Sequence, residues 1–343
     1  MQRCLDLARS GAGHTAPNPM VGAVLVHGDR IIGEGYHQLY GQAHAEVNCL
    51  RSVKEEDIPL IRQSTMYVSL EPCAHHGKTP PCADRLIKEG IPRVVVGCRD
   101  PFKEVDGKGI GKLLAAGTAV EVGVLEEQCR ELNKRFFTFN TQHRPYIVLK
   151  WAQSVNGKIG SIAGGERVLI SNAYTNRLVH KWRSEEAAIL VGTRTALADD
   201  PALTVRNWTG PDPIRLVIDK ELRLPGSLRI FDRRVRTIIF NTVKHEEQDN
   251  LLYYQIAADS SLIHQLATAL YQLKIQSVLV EGGAALLQSF IEEGYWDEAR
   301  VITNEDLQIP EGLPAPILKE AVVLSHERYF SDSLSFYKNP AVL

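Results

Sequence analysis

The stretch from His44 to Cys82 brings a histidine, a glutamate and two cysteines into one predicted strand–turn–helix region. His44 and Cys82 each stand at the start of a predicted helix, where main-chain amides and the helix dipole favour a thiolate. One imidazole and two thiolates, from His44, Cys73 and Cys82, leave a tetrahedral zinc ion one open position, as a catalytic site requires. Glu46 follows two residues after the histidine, within reach of a metal-bound water. The stretch therefore predicts a catalytic zinc site.

The order His-x-Glu followed by Pro-Cys is typical of zinc-dependent deaminases, in which the glutamate is not a ligand. In such chemistry zinc lowers the pKa of water to roughly 7, and hydroxide attacks the amine-bearing ring carbon. Glu46 is expected to carry the water proton to the ring nitrogen and the leaving ammonia. The spacing is unusual, because eight residues separate Cys73 from Cys82 where Cys-x-x-Cys is common.

Length and composition limit the class of protein. The 343 residues favour two domains, and the interruption at His143-Arg144-Pro145 predicts domains at 1–142 and 143–343. A hydrophobic content of 44% and a net charge of −2 describe an ordinary globular protein without the basic footprint of a nucleic-acid scaffold. Six cysteines are too sparse for a disulfide scaffold, and no apolar run has the length of a membrane span. A cytoplasmic protein with no nucleic-acid or membrane partner is expected.

Strand-like and helix-like runs alternate along the chain, which predicts α/β sheets with active residues at strand-to-helix turns. In the first half the predicted strands are Val21–Val26, Ile31–Gly35, Thr65–Leu70, Arg93–Gly97 and Val120–Val122. The first predicted helix begins near Leu5, and the later ones are Ala45–Val53, Cys82–Glu89, Gly109–Ala116 and Leu125–Phe139. In the second half the predicted strands are Pro145–Trp151, Ala187–Val191, Ile214–Ile218, Thr237–Phe240, Ser277–Val280 and Glu298–Thr303, and the predicted helices are Asn172–Arg183, Leu262–Leu273 and Ala284–Glu292.

These motifs together resemble the bacterial bifunctional riboflavin-biosynthesis deaminase–reductase family. The resemblance rests on Pro17–Gly22, His44–Val47 and Glu71–Cys82, and it extends over nearly the whole chain. It implies a cytidine-deaminase-like αβα sandwich followed by a dihydrofolate-reductase-like α/β domain. It also implies zinc in the first domain, NADPH in the second, and a homo-oligomer, either dimer or tetramer. The substrate would be a diamino-ribosylamino-pyrimidinone 5′-phosphate, which is deaminated before its ribose is reduced to ribityl.

The resemblance also assigns site residues. Asn18, His75, Lys78 and Asp100 match positions that contact the deaminase substrate. An asparagine presents both a donor and an acceptor to a pyrimidine edge, and Lys78 and His75 suit a phosphate. Phe102 stands where the family often has asparagine.

No Gly-x-Gly-x-x-Gly follows a predicted strand in the second half, so a Rossmann site is not supported. Gly282-Gly283 instead opens a predicted helix, whose amides suit a phosphate. By resemblance, the NADPH site is lined by Ala152, Thr195, Asp199, Gly283, Ala284, Ala285, Leu286, Leu287, Gln288 and Ser289. By resemblance, the reductase substrate site is lined by Lys150, Arg167, Arg183, Leu203, Arg206 and Glu281. The guanidinium groups of Arg183 and Arg206 suit the 5′-phosphate.

Three alternatives remain open from the sequence. The chain could deaminate another small nucleotide and carry a degenerate second domain. A nucleic-acid-editing deaminase is disfavoured by the slightly negative net charge. A zinc-stabilised binding module would need a fourth protein ligand, for which Cys98, His75 and His76 are candidates, and it leaves Glu46 without a role.

Overall fold

The computed structural model describes residues 1–75, 80–161 and 168–342. The chain divides into two compact units, Met1–His143 and Arg144–Leu343. Lys78 and Arg167, both assigned above to substrate sites, lie outside the described residues. None of the helices in the described ranges combines the length and apolar character that crossing a bilayer requires.

The first unit is built on a five-stranded sheet in the order β2-β1-β3-β4-β5. Its strands are β1 Gly22–His27, β2 Arg30–Tyr36, β3 Thr65–Leu70, β4 Arg93–Cys98 and β5 Ala119–Val122. Its helices are α1 Gln2–Arg9, α2 Ala45–Arg51, α3 Cys82–Glu89, α4 Lys108–Ala115, α5 Glu126–Leu132 and α6 Lys134–Gln142, with a 3-10 helix at Glu55–Gln63. Strand β1 is antiparallel to β2 and β3, whereas β3, β4 and β5 are parallel.

Apolar residues cover both faces of this sheet. On one face, residues of α2, α3 and α4 such as Cys49, Leu86 and Leu113 form a core with strand residues. On the other face, Leu5 of α1 and Phe137 of α6 pack with strand and helix cysteines. The predicted αβα sandwich is confirmed. Because β3 and β4 are parallel and adjacent, the segments that follow their carboxyl ends lie side by side.

The single helix predicted over Leu125–Phe139 is wrong, because the structure has two helices that meet at Asn133. The Asn133 side chain accepts a hydrogen bond from the main-chain N–H of Met20 at 2.8 Å and donates one to the Met20 carbonyl at 2.9 Å. Asn133 is nearly fully buried. The asparagine therefore breaks the helix where it pairs with the segment that contains Asn18.

The second unit contains a ten-stranded sheet in the order β11-β12-β10-β9-β8-β13-β6-β14-β17-β16 and a two-stranded sheet of β15 and β7. Its strands are β6 Tyr146–Ser154, β7 Lys158–Ser161, β8 Ala188–Gly192, β9 Ile214–Ile218, β10 Thr237–Asn241, β11 Glu246–Gln248, β12 Leu251–Gln255, β13 Ser277–Val280, β14 Glu298–Asn304, β15 Gly312–Pro314, β16 Val322–Tyr329 and β17 Asp332–Lys338. Its helices are α7 Ala173–Glu185, α8 Thr193–Asp199, α9 Leu262–Gln272 and α10 Ala284–Glu292, with 3-10 helices at Arg229–Phe231 and Pro340–Val342.

The central strands of this sheet are parallel and buried on both faces. Helices α9 and α10 pack on one face, around Leu149 and Val280, and α7 packs on the other, around Val148. Strands β8, β13 and β6 are neighbours, so their carboxyl ends lie at one edge of the sheet. Such an edge is where ligands bind in open α/β sheets. The sequence pattern did not predict β7, β11, β12, β15, β16, β17 or α8.

Candidate active sites

The predicted metal residues lie together in the first unit. The ligand atoms of His44, Cys73 and Cys82 all lie within 4.8 Å of one another. Nδ1 of His44 is 3.5 Å from Sγ of Cys73 and 3.4 Å from Sγ of Cys82. His44 is the N-cap of α2 and Cys82 is the first residue of α3. These three donor atoms are of the types that zinc prefers, so the residues fit a zinc ion.

The start of α3 shapes the position of the first cysteine. The main-chain N–H of Cys82 donates to Sγ of Cys73 at 3.3 Å, and the N–H of Ala83 donates to the Cys73 carbonyl at 3.1 Å. Hydrogen bonds from Cys82, followed by one from His44, lower the pKa of the Cys73 thiol. Of the six cysteines, Cys73 is half-buried and the others are buried. The fold therefore favours a thiolate at Cys73.

Glu46 lies in the first turn of α2 and is 3% exposed. Burial raises the pKa of its carboxyl group, and the neighbouring Cys73 thiolate adds to this effect. A carboxyl group with a raised pKa beside a zinc-type donor set is suited to taking and returning a proton.

Asn18 is held by a histidine that the sequence interpretation did not single out. Nδ1 of the buried His37 lies 3.1 Å from the carbonyl oxygen of Ala43, and its Nε2 lies 3.1 Å from Nδ2 of Asn18. A carbonyl can only accept, so Nδ1 donates and Nε2 of the neutral ring accepts. Nδ2 of Asn18 is then its donor to His37, and Oδ1 remains as the acceptor end of the amide. The rings of His37 and His44 meet edge to face with centroids 5.3 Å apart, so Asn18 lies near the metal residues.

Asp100 follows β4 and lies beside the turn that follows β3. Its Oδ1 accepts a hydrogen bond from the Phe102 N–H at 2.8 Å. Burial raises the pKa of Asp100 to about 7. The ring of Phe102 in turn meets His75 with centroids 6.0 Å apart. Among the described residues, the buried Nδ1 of His75 has no hydrogen-bond partner, which marks it as a group that a ligand would satisfy.

A second cluster of charged residues lies in the other unit. Glu281, which follows β13, accepts two hydrogen bonds from Arg183 of α7, at 2.8 Å from Nε and 2.6 Å from Nη2. Burial disfavours the charged carboxylate, yet Arg183 and Lys150 lower the pKa of Glu281 to about 2. Burial lowers the pKa of Lys150, and Glu281 opposes that effect. The structure thus brings together three of the residues assigned to the reductase substrate.

The segment from Leu203 to Arg206 lies against the same helix. Nη1 of Arg183 donates to the Thr204 carbonyl at 3.3 Å, and the main-chain N–H of Arg206 donates to Nδ1 of His180 at 3.1 Å. Leu203 is buried and has a positive φ of 51°. His180 was missed from the sequence, although it precedes Arg183 by three residues and so shares its helix face. Leu203 and Arg206 therefore belong to the same cluster as Arg183.

The residues predicted to bind the cofactor lie partly together at the carboxyl ends of β8 and β13. A Cβ added at Gly283 would lie 3.4 Å from Oγ1 of Thr195, so these residues are neighbours. Gly283 has a φ of 73° and is the N-cap of α10, which places the free amides of that helix at the strand edge. Leu286 and Leu287 pack in the core, so contacts of these two residues with a cofactor would come from their main chain. The cofactor assignments, Ala152 and Asp199 included, stay predictions.

Comparison with known families explains the two clusters. The family described as "Cytidine and deoxycytidylate deaminase zinc-binding region" matches residues 1–98, and the family described as "RibD C-terminal domain" matches residues 145–304. "Riboflavin biosynthesis protein RibD" of Aquifex aeolicus is 41% identical over 302 residues, which are 87% of this chain and 83% of the relative. The protein of the same name from Escherichia coli is 38% identical over 317 residues, covering 87% and 84%.

The chain belongs to the RibD family of bifunctional riboflavin-biosynthesis enzymes. A solved deaminase/reductase from Thermotoga maritima superposes with a TM-score of 0.89 at 34% identity, covering 99% of this chain and 97% of that one. Acinetobacter baumannii RibD superposes with a TM-score of 0.88 at 32% identity, covering 98% and 97%. The protein is therefore an enzyme with a zinc-binding deaminase domain and an NADPH-dependent reductase domain.

Proposed function

We propose that this RibD family member deaminates 2,5-diamino-6-ribosylamino-4(3H)-pyrimidinone 5′-phosphate in its first unit and reduces the ribosyl chain to ribityl in its second. The observation that carries the deaminase half is the three-residue donor set of His44, Cys73 and Cys82 beside a buried Glu46. The solved relative from Thermotoga maritima supports this substrate, because it is a diaminohydroxyphosphoribosylaminopyrimidine deaminase and 5-amino-6-(5-phosphoribosylamino)uracil reductase.

The donor set favours a catalytic over a structural zinc ion. Among the described residues, the potential metal ligands that cluster there number three. Cys98 is directed elsewhere, since its Sγ donates to the Ser69 carbonyl at 3.5 Å. When bound, zinc supplies a centre that makes water acidic enough to act as a nucleophile near neutral pH. His44, Cys73 and Cys82 would hold the ion and leave one position open for water or substrate.

Different side chains of the protein then have different roles toward the pyrimidine. Glu46 takes one proton from the attacking water and gives it to the ring nitrogen. It then takes the second proton from the new hydroxyl group and gives it to the amino group, so that the carbon–nitrogen bond breaks, ammonia leaves and a carbonyl forms. Asn18 presents Oδ1 to an N–H on the substrate edge, because His37 holds its Nδ2. Asp100 contacts the polar substituents of the substrate, and His75 offers its buried Nδ1 as a hydrogen-bond partner. Lys78 completes the proposal as a phosphate contact.

In the reductase, NADPH supplies the hydride, and the protein positions C1′ of the opened ribose beside the nicotinamide ring. We assign the 5′-phosphate to Arg183 and Arg206, which are linked through Thr204. Lys150 and Glu281 line the same site, where each favours the charged form of the other, and we assign them to the polar groups of the sugar. Ala152, Thr195, Asp199 and Gly283–Ser289 are assigned to the cofactor, and Arg167 to the substrate.

The net charge of −2 supports a small phosphorylated substrate over a nucleic acid. We further propose a cytoplasmic location. We also propose that the protein is a homo-oligomer, either a dimer or a tetramer, and sedimentation of the purified protein measures that oligomeric state.

The order of the two steps gives the direct test. Zinc-loaded protein is incubated with the diamino substrate, first alone and then with NADPH. Ammonia release without cofactor, followed by NADPH oxidation in proportion to the ammonia released, is the expected result. NADPH oxidation that precedes ammonia release, or none after deamination, contradicts the proposed sequence of reactions.

Removing zinc should separate the two activities. A chelator is expected to abolish ammonia release while NADPH oxidation with the deaminated intermediate continues, because each active site lies within its own unit. Added zinc restores deamination. Loss of helical circular dichroism on chelation would instead indicate a structural metal.

His180 should act through its Nδ1 atom. Asparagine at position 180 keeps an acceptor near the place of Nδ1, whereas glutamine places its acceptor near the place of Nε2. We therefore expect His180→Asn to retain the reductase KM. His180→Gln should raise the KM by about tenfold, which is roughly the effect of one hydrogen bond. Equal effects of the two variants on KM would contradict a role for Nδ1.

The same residue predicts a pH dependence of stability. Burial, with the charges of Arg183 and Arg206, lowers the pKa of His180 to about 4, and Glu281 and the Thr204 main chain act in the opposite direction. A histidine in the unfolded chain has a pKa near 6.5. The contribution of the neutral, folded His180 to the free energy of unfolding is therefore complete above pH 6.5 and is lost as the pH falls toward about 4. Urea unfolding should therefore show a steeper loss of stability between those pH values in the parent than in His180→Asn. If the stability of the two proteins had the same pH dependence, the proposed contribution of His180 would be contradicted.

A further inference from the structure

Glu71 is a buried carboxylate that none of the roles above uses. It follows β3 and stands two residues before Cys73. Its two oxygens accept four main-chain hydrogen bonds from one neighbouring segment. Oε2 accepts from Asp100 at 3.3 Å and from Gly107 at 3.0 Å, and Oε1 accepts from Gly109 at 3.0 Å and from Ile110 at 3.1 Å.

The segment that Glu71 binds runs from the end of β4 into the first turn of α4. It contains Asp100, whose own carboxyl group binds Phe102. The main-chain N–H of Glu71 also donates to the Cys98 carbonyl at 3.0 Å, so the contact continues the pairing of β3 with β4. Glu71 therefore joins the turn with the zinc ligand to the segment with a proposed substrate contact.

The two segments also fit closely in space. A Cβ added at Gly109 would lie 1.9 Å from the carbonyl oxygen of Pro72, so only glycine permits this approach. A carboxylate suits four donors because its two oxygens offer about four acceptor positions and no donor. Hydrogen bonds to an ionised acceptor are also stronger than those between neutral groups. A glutamine at 71 would direct its NH2 group at two of the four N–H donors.

We propose that Glu71 is a positioning residue for the deaminase substrate, acting through these four amides to hold Asp100 at a fixed place beside the Cys73 turn. The inference rests on the proposed contact between Asp100 and the substrate and explains how that contact is kept in register with the metal residues. If Glu71 only stabilised the loop, its replacement would lower the free energy of unfolding and leave the KM for the deaminase substrate unchanged.

The test is a double-mutant cycle on ammonia release, with Glu71→Gln, Asp100→Ala and the combined variant, each loaded with zinc. Glu71→Gln should raise the KM by about tenfold, roughly the loss of one charge-assisted hydrogen bond, with kcat changed by less than about threefold. Zinc should stay at one ion per chain, and reductase activity should match the parent. In the Asp100→Ala background, Glu71→Gln should have no further effect on KM, because both changes remove the same contact.

Ser64→Ala is the matched control. It removes a part-buried hydrogen bond from Oγ of the buried Ser64 to the Leu60 carbonyl, at 2.8 Å, at the opposite end of β3. It should lower stability and leave the KM unchanged. Gly107→Ala is a second probe of the same segment. Gly107 has a φ of 77°, at which an alanine is strained, so this substitution should loosen the segment. It should raise the KM in the same direction even if Glu71→Gln does not fold.

The outcomes separate the inference from the proposed function. An unchanged KM in Asp100→Ala overturns the substrate contact of Asp100 and the inference with it. A raised KM in Asp100→Ala, together with a Glu71→Gln effect that is absent or fully additive, overturns the inference alone. Loss of zinc from Glu71→Gln also overturns it, because the residue would then act on the metal ligands.

Discussion

Glu46→Gln should abolish deamination while the protein keeps its zinc and its reductase activity. Glutamine fills the same buried space in the first turn of α2 but cannot take a proton from water. Loss of a positioned general acid–base group lowers a rate by about 10²- to 10⁴-fold, so kcat for ammonia release should fall by that order. The measurements are ammonia release at saturating substrate, zinc content, and NADPH oxidation with the deaminated intermediate.

Asp57→Asn is a matched control for this variant. Asp57 is also a buried acid of the first unit, and its carboxylate binds Arg30 in a two-fold contact. Its replacement should lower stability and leave kcat for ammonia release unchanged in the folded protein. Deamination at the parental rate by zinc-loaded Glu46→Gln would remove Glu46 from the mechanism.

Glu281→Gln should have the largest effect in the second unit. The side chains of Glu281 and Arg183 are 8% and 13% exposed, and the charge of Lys150 also faces Glu281. Removing one partner of a buried ion pair costs about 3–5 kcal/mol, because the other charge stays buried without compensation. We expect a large drop in the unfolding temperature of this unit and a loss of reductase kcat/KM of about 10²-fold or more. Ammonia release should be unaffected.

Asp297→Asn tests whether the loss of activity exceeds the loss of stability. Asp297 precedes β14 and pairs with Arg144 at 2.6 Å, with side-chain exposures of 2% and 12% that resemble those of the Glu281 pair. It also accepts from the Ile147 N–H, at the amino end of β6, away from the carboxyl-end edge. This variant should lose comparable stability and keep the kcat/KM of the folded protein. Equal activity losses in the two variants would refute a substrate role for Glu281.

The metal residues were predictable because the information lies in short motifs. His44 and Glu46 are two residues apart, Cys73 and Cys82 are nine residues apart, and all four lie next to apolar runs of clear period. The strands Thr65–Leu70, Ile214–Ile218 and Ser277–Val280 were predicted at their observed bounds, because each is a short buried run.

The residues that were missed act through tertiary contacts. Nothing in the local sequence says that His37 binds Asn18, or that the Glu71 carboxylate faces four amides of a segment about 30 residues later. Strand β16 was missed because its side chains are mostly exposed and show no buried face. The break between α5 and α6 was missed for the same reason as His37, since Asn133 leaves the helix to pair with Met20.

The burial of the cysteines has a practical consequence for chemical labelling. Cys4 and Cys49 are buried in the core, and burial raises the pKa of Cys4 to about 12 and raises that of Cys49 further. The thiolate is the nucleophile that attacks an alkylating reagent, so Cys4 and Cys49 are protected both by their burial and by their protonation. Cys73 is half-buried and has a lowered pKa. Alkylation of the folded protein is therefore directed first to a zinc ligand, and the rate of that modification reports how fully the metal site is loaded.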